Sequence, residues 1–114
     1  MQMKNIWSKK TEEILKKGKS LFDIGVNNWA LTKVEVITAI DEFSSQHIPI
    51  LGGDVYEVIN GVFQSNYDNW YCEPLPEETR SEFVNRSVNK AKKYIEDYKA
   101  KELDKIFFVL VPEA

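Results

Sequence analysis

The chain has 114 residues, 43% hydrophobic and 29% charged, with a formal net charge of −3. That length suits one domain over residues 1–114 with a core of its own, and that composition excludes a disordered chain. A single cysteine, Cys72, excludes an intramolecular disulfide; with no leader-like apolar run at the start and no stretch of membrane-spanning length, the expected location is cytoplasmic.

Taken in chain order, SKKTEEILKK (8–17) predicts a short peripheral helix, capped by Ser8 and stopped by Gly18. LFDIGVNNWA (21–30) reads as a packed loop. A firmer helix follows in LTKVEVITAIDEFSSQ, where Thr32 and Glu35 have the spacing of a capping box. Val34, Ile37, Ile40 or Asp41, and Ser44 are its expected inner stripe, flanked by Val36 and Phe43, and Pro49 lies past its end. Asn60-Gly61 then supplies the two positive-φ positions of a type I′ turn, so residues on either side form a hairpin. Alternation places Val55, Glu57 and Ile59 on one face and Tyr56 and Val58 on the other. The second strand runs through Val62 and Phe63 and turns irregular near Tyr67-Asp68-Asn69.

After two prolines and a Glu-rich turn, Phe83, Val84, Ser87, Val88, Ala91, Tyr94, Ile95 and Tyr98 repeat at helical spacing, predicting a helix over about 77–100. KIFFVLVP (105–112) is a buried strand ended by Pro112. The order α-α-β-β-α-β defines an α+β fold with a small three-stranded, mainly antiparallel sheet packed by helices. The last strand is placed beside the first, in the order 2-1-3.

Charge is distributed unevenly. Residues 1–53 carry seven lysines and six acids, residues 54–82 seven acids against Arg80 alone, and residues 83–114 seven basic residues and five acids. A nucleic-acid interface carries the opposite sign. An acidic middle suits a basic protein partner, or is simply a solvated surface.

Catalytic and metal chemistry find little support in the residues. Gly52-Gly53 follows a helix and precedes a strand, the reverse of a phosphate loop, so the pair reads as a bend into the hairpin. Asp54 either fastens that bend through backbone N–H groups or begins the acidic face; the first is favoured. His47 and Cys72 are each the only residue of their kind, which leaves no ligand pair for a metal. A Cys72–His47 pair, or acid–base work by Asp54 and Asp68, is the content of an alternative reading as a small hydrolase or ligand-binding module. A homodimer through an edge strand is a third.

The aromatics Tyr67, Trp70 and Tyr71 beside Asp68, Asn69 and Glu73 have the composition of an interface hot spot. Equally, Trp70 and Tyr71 could cover the core edge, although alternation makes one of two neighbours point away from it.

PILGGDVY, then YDNWYCEP, then RS with a Tyr-containing helix, and a terminal FFVLVP resemble the immunity protein 40 family, small bacterial proteins of polymorphic toxin systems. The resemblance runs from about Trp29 to Pro112. It implies a cytoplasmic antidote that binds one cognate toxin domain, basic if charge governs the encounter, without catalysis, cofactor, nucleic acid or membrane. Among the matched positions, Gly52, Gly53, Asp54, Tyr56 and Cys72 are assigned to structure. Glu57, Tyr67, Asp68, Asn69, Trp70, Tyr71 and Glu73 are the expected partner contacts.

Overall fold

The computed structural model describes residues 7–114; the opening residues, on which the expectation of no leader rests, lie partly outside it. Helix α1 (Lys9–Leu15) starts where Ser8 accepts a hydrogen bond from the Thr11 N–H. The segment expected as a loop holds more order than its composition suggests. Strands β1 (Lys19–Ser20) and β2 (Trp29–Ala30) pair antiparallel around a 3-10 turn at Phe22–Ile24.

Helix α2 (Lys33–Ser45) has the expected capping box, with Thr32 and Glu35 bonding each other's backbone N–H. Its inner stripe is rotated from the one expected. Val36, Ala39, Ile40 and Phe43 are buried, whereas Val34 is 78% exposed. Val34 sits in the first turn, beyond the reach of the sheet, so the contacts begin two residues later.

Strands β3 (Ile50–Ile59) and β4 (Val62–Tyr71) form the predicted hairpin. Asn60 and Gly61 have φ of 52° and 78°, as a type I′ turn requires. Helix α3 (Arg80–Asp97) follows a second capping box, Thr79 with Glu82, and β5 (Ile106–Pro112) closes the sheet. The strand order is β4-β3-β5, antiparallel throughout, which is the 2-1-3 order expected.

Both faces of the sheet are used. Val55, Trp70, Ile106, Phe108 and Leu110 meet the inner stripes of α2 and α3. On the other face Phe107 and Val109 pack with Leu21 and Ala30, and Tyr56, Val58 and Phe63 lean on that second cluster. The outer edge of β5 is sealed as well. Leu31 exchanges two backbone hydrogen bonds of 2.8 Å with Phe108, and buried Asn28 donates to the Leu110 carbonyl at 2.8 Å. That leaves β4 as the open edge of the three-stranded sheet, with most of its residues exposed.

One sequence expectation changes here. Gly52 and Gly53 stand inside β3 rather than at a bend before it, paired across to Tyr71 and Trp70. The register against β5 slips between Ile50 and Gly52, so the strand is irregular just ahead of them. What Gly53 supplies is room: a Cβ there would collide with the six-membered ring of Trp70.

Candidate functional site

The register of the hairpin breaks in its middle. Asp54 pairs with Asn69 and Tyr56 with Ser65, so Asn66, Tyr67 and Asp68 all stand opposite Val55. Three residues against one make an enlarged bulge that bends β4 at its open edge. The bulge places Tyr67 at φ 69°, a conformation that costs an L-residue about 1–2 kcal/mol, and leaves it 86% exposed.

Local side chains hold this shape. Ser65 Oγ accepts from the Tyr67 N–H at 3.1 Å, Asn66 Oδ1 accepts from the Asp68 N–H at 2.9 Å, and Asn69 Nδ2 donates to the Tyr67 carbonyl at 3.0 Å. Further along, Lys90 Nζ donates to the Tyr71 carbonyl at 2.6 Å and lies 5.7 Å from the Tyr71 ring centre. These contacts occupy main-chain groups of Tyr67, Asp68 and Tyr71, which blunts this stretch against pairing with another strand. A homodimer built by strand addition here is therefore disfavoured.

The expected contact residues divide accordingly. Tyr67, Asp68, Asn69, Tyr71 (68% exposed) and Glu73 lie together along the open edge and just past it. Trp70 does not join them. Its indole is 6% exposed, lies over Gly53 and stacks on Tyr94 with ring centres 4.6 Å apart. Of the two neighbours, Trp70 points inward because Gly53 leaves a hollow there, and Tyr71 points out. The indole N–H has no hydrogen-bond partner among the described residues.

Glu57 is half-buried on β3 and lines a cleft of about 520 Å³ with Asp68, Tyr98, Lys99 and Lys105. It thus faces the α3–β5 connection, in a cleft whose other wall is Asn66 and Asp68 of β4. Asp68 has two duties, since its Oδ2 accepts from Tyr98 Oη at 2.6 Å while its residue remains exposed.

Asp54 also departs from expectation. Its carboxylate makes no hydrogen bond to a described backbone N–H; it lies mid-strand between Asn69 and Val109, and burial pushes its pKa up. Tyr56, half-buried, packs on the second cluster.

Cys72 is buried, and its sulfur accepts from Arg86 Nη1 at 3.1 Å. Arg86 grips the whole segment between β4 and α3. It binds Glu78 through Nε (2.7 Å) and Nη2 (2.9 Å) and donates from Nη2 to the Glu73 carbonyl at 2.5 Å. Glu78 also accepts from the Leu75 N–H, and the Arg86 hydrogen bonds, ahead of that one, hold its pKa down at about 2. No spacing rule ties Cys72, Glu78 and Arg86 together, so this clamp escaped sequence reasoning; it fixes the loop that presents Glu73.

Proximity tests the catalytic alternative. Cys72 is engaged by Arg86, whereas His47 lies beside Ser81 and Arg80 at the start of α3. Asp68 is tied to Tyr98 on the helix side of the sheet, and Asp54 shares the opposite face with Tyr56 and Val109. Asp54 and Asp68 thus leave the sheet on opposite faces, and Cys72 is held by Arg86. Among the described residues no group of three or more His, Cys, Asp or Glu is arranged to hold a metal ion, and no helix is long and apolar enough to cross a membrane.

A second exposed set was not foreseen. Ile24 and Val62 line a shallow cavity at the hairpin turn, and Phe22 and Ile59 beside them are also exposed.

Among curated proteins nothing matches this chain. A family model described as Immunity protein 40 matches residues 20–112 of the 114, which takes in the Trp29–Pro112 span of the resemblance and extends it back to residue 20, including the buried Asn28. The chain belongs to the immunity protein 40 family.

Proposed function

We propose that this chain is a cytoplasmic bacterial antidote of a polymorphic toxin system, one α+β domain that binds a cognate toxin domain and neutralises it without catalysis. Membership of an immunity family points to a toxin protein as partner. The observation that carries the choice of surface is the open β4 edge, where Tyr67 and Tyr71 stand exposed beside Asp68, Asn69 and Glu73. Rigid aromatics bury large area at little entropic cost, and the neighbouring carboxylates steer a basic partner.

With main-chain groups of the bulge already bonded by side chains, recognition there runs through side chains rather than strand addition. Glu73 and Tyr67 are the clean probes. Neither side chain bonds another described residue, whereas Asp68 supports Tyr98. The test is affinity for the toxin domain encoded beside this chain. Tyr67→Ala should weaken binding about 30-fold, as a hot-spot truncation of about 2 kcal/mol does. Glu73→Lys should slow association and flatten its salt dependence. Unchanged binding by both variants would refute the surface.

A further inference from the structure

We infer that Tyr98, at the C-terminal end of α3, is a positioning residue for recognition. Its hydroxyl holds the Asn66–Asp68 bulge so that Tyr67 stands ready to enter an apolar slot rimmed by cations on the partner protein. The inference rests on the binding reading above and adds the group that builds the surface.

The hydroxyl touches both flanks of Tyr67. It accepts from Asn66 Nδ2 at 2.7 Å and donates to Asp68 Oδ2 at 2.6 Å. A phenol offers one donor, and both its donor and an acceptor site are committed to the residues on either side of one exposed ring. The Tyr98 ring itself is anchored, edge-on to Phe108 at 5.7 Å and beside Tyr94 at 5.9 Å. The link therefore runs from the buried centre of β5, through a rigid aromatic, to a backbone conformation that Tyr67 would not choose unaided.

Burial and the bond to Asp68 push the Tyr98 pKa up to about 12, so the donor persists throughout the physiological range. Strain at an exposed aromatic, held by a dedicated network, is the pattern of a pre-organised contact. The occupant's chemistry follows from charge. Asp68 follows Tyr67 directly and Glu73 lies further along the same edge, while Lys90 is taken up by the Tyr71 carbonyl and ring, and Lys99 and Lys105 line the cleft on the α3–β5 side of Asp68. An apolar slot with Lys or Arg at its rim complements a phenol so flanked.

Tyr98→Phe removes the hydroxyl and keeps the ring packing, so it separates positioning from core stability. The experiment combines amide exchange of the free protein with affinity for the toxin domain encoded beside this chain, using Y98F, Y67A and the double variant. In free Y98F, exchange at Tyr67 and Asp68 should rise about tenfold while β3 and α3 amides stay as in the wild type. Affinity should fall about 5–20-fold in Y98F, yet less than about twofold when Y98F is added to Y67A, because the hydroxyl acts through that ring.

Unchanged exchange at Tyr67 and Asp68 overturns the positioning role, whatever the binding result. Faster exchange with additive losses in the double variant also overturns it. If Y98F loosens the bulge while neither Y67A nor Glu73→Lys changes affinity, the inference falls together with the surface it rests on. If Y67A alone weakens binding, the surface stands and only the role of Tyr98 is lost.

Discussion

Gly53→Ala examines how the sheet is built beneath the candidate surface. The added Cβ would overlap the Trp70 six-membered ring, and the ring is also stacked on Tyr94 at 4.6 Å. It cannot yield by a small rotation without moving Tyr94, which lies on α3. Overpacking of this kind costs about 1–3 kcal/mol. The lower conformational entropy of the unfolded alanine variant returns roughly 0.4–1 kcal/mol at most. Expelling the indole altogether would forfeit up to about 4–6 kcal/mol, from 150–250 Å² of aromatic surface at 25 cal/mol/Å², so the ring shifts rather than leaves.

A net loss of about 1–2 kcal/mol corresponds to a Tm lower by roughly 4–8 °C for a chain of this size. Differential scanning calorimetry reads the stability, and the double variant Gly53→Ala with Trp70→Phe identifies the cause. The smaller ring relieves the overlap and removes an indole N–H that has no described partner, so the second substitution should restore part of the loss. Equal Tm for wild type and Gly53→Ala, or strict additivity in the double variant, would refute the packing argument.

The Glu78–Arg86 clamp predicts an acid-sensitive loop. The folded pKa of Glu78 is lowered to about 2 from 4.5, so between those values the unfolded chain binds the extra proton and stability falls as pH drops from about 4.5 toward 2. Glu78→Gln should flatten that part of the Tm-versus-pH curve, and an unaltered slope would show that the clamp is not its source. Asn28→Leu should cost about 1–3 kcal/mol by chemical denaturation, because it orphans the Leu110 carbonyl and the Trp29 N–H, both bonded by Asn28 at 2.8 Å. Thr79→Ala should cost about 1 kcal/mol through loss of the α3 cap; a change near zero would mean that tertiary packing alone sets the start of that helix.

Local chemistry made much of the fold legible in advance. Asn60-Gly61 specified the turn, Thr32 and Glu35 a helix start, and the unbroken apolar run before Pro112 a strand covered on both faces. The Thr79–Glu82 box has the same spacing as Thr32–Glu35 and was readable, but the prolines and acids ahead of it drew the expected start to 77. The two-residue strands β1 and β2 have no period to detect. In β3, Gly52 and Gly53 interrupt the alternation, which disguised a ten-residue strand as a bend.

The candidate site was legible in composition and less so in orientation. Alternation requires that Trp70 and Tyr71 face opposite ways, yet only the hollow at Gly53 decides which is buried. Asp54 stands on one face of the sheet while Asp68 bonds a helix on the other, a separation that follows from the pairing of Asp54 with Asn69, the strand neighbour of Asp68. The Arg86 clamp and the Tyr98 hydroxyl bridge residues 8 to 32 positions apart, a range that local patterns do not encode.

The most direct measurement compares two patches of one protein against one toxin domain. Titration calorimetry with the toxin domain encoded beside this chain would be run on Tyr67→Ala with Glu73→Lys, and separately on Ile24→Ser with Val62→Ser at the hairpin turn. The account predicts at least about a 30-fold loss for the β4 pair, with Tm within roughly 2 °C of wild type, and near-wild-type affinity for the hairpin-turn pair. Full affinity in the β4 pair, with the loss appearing at Ile24 and Val62, would contradict it.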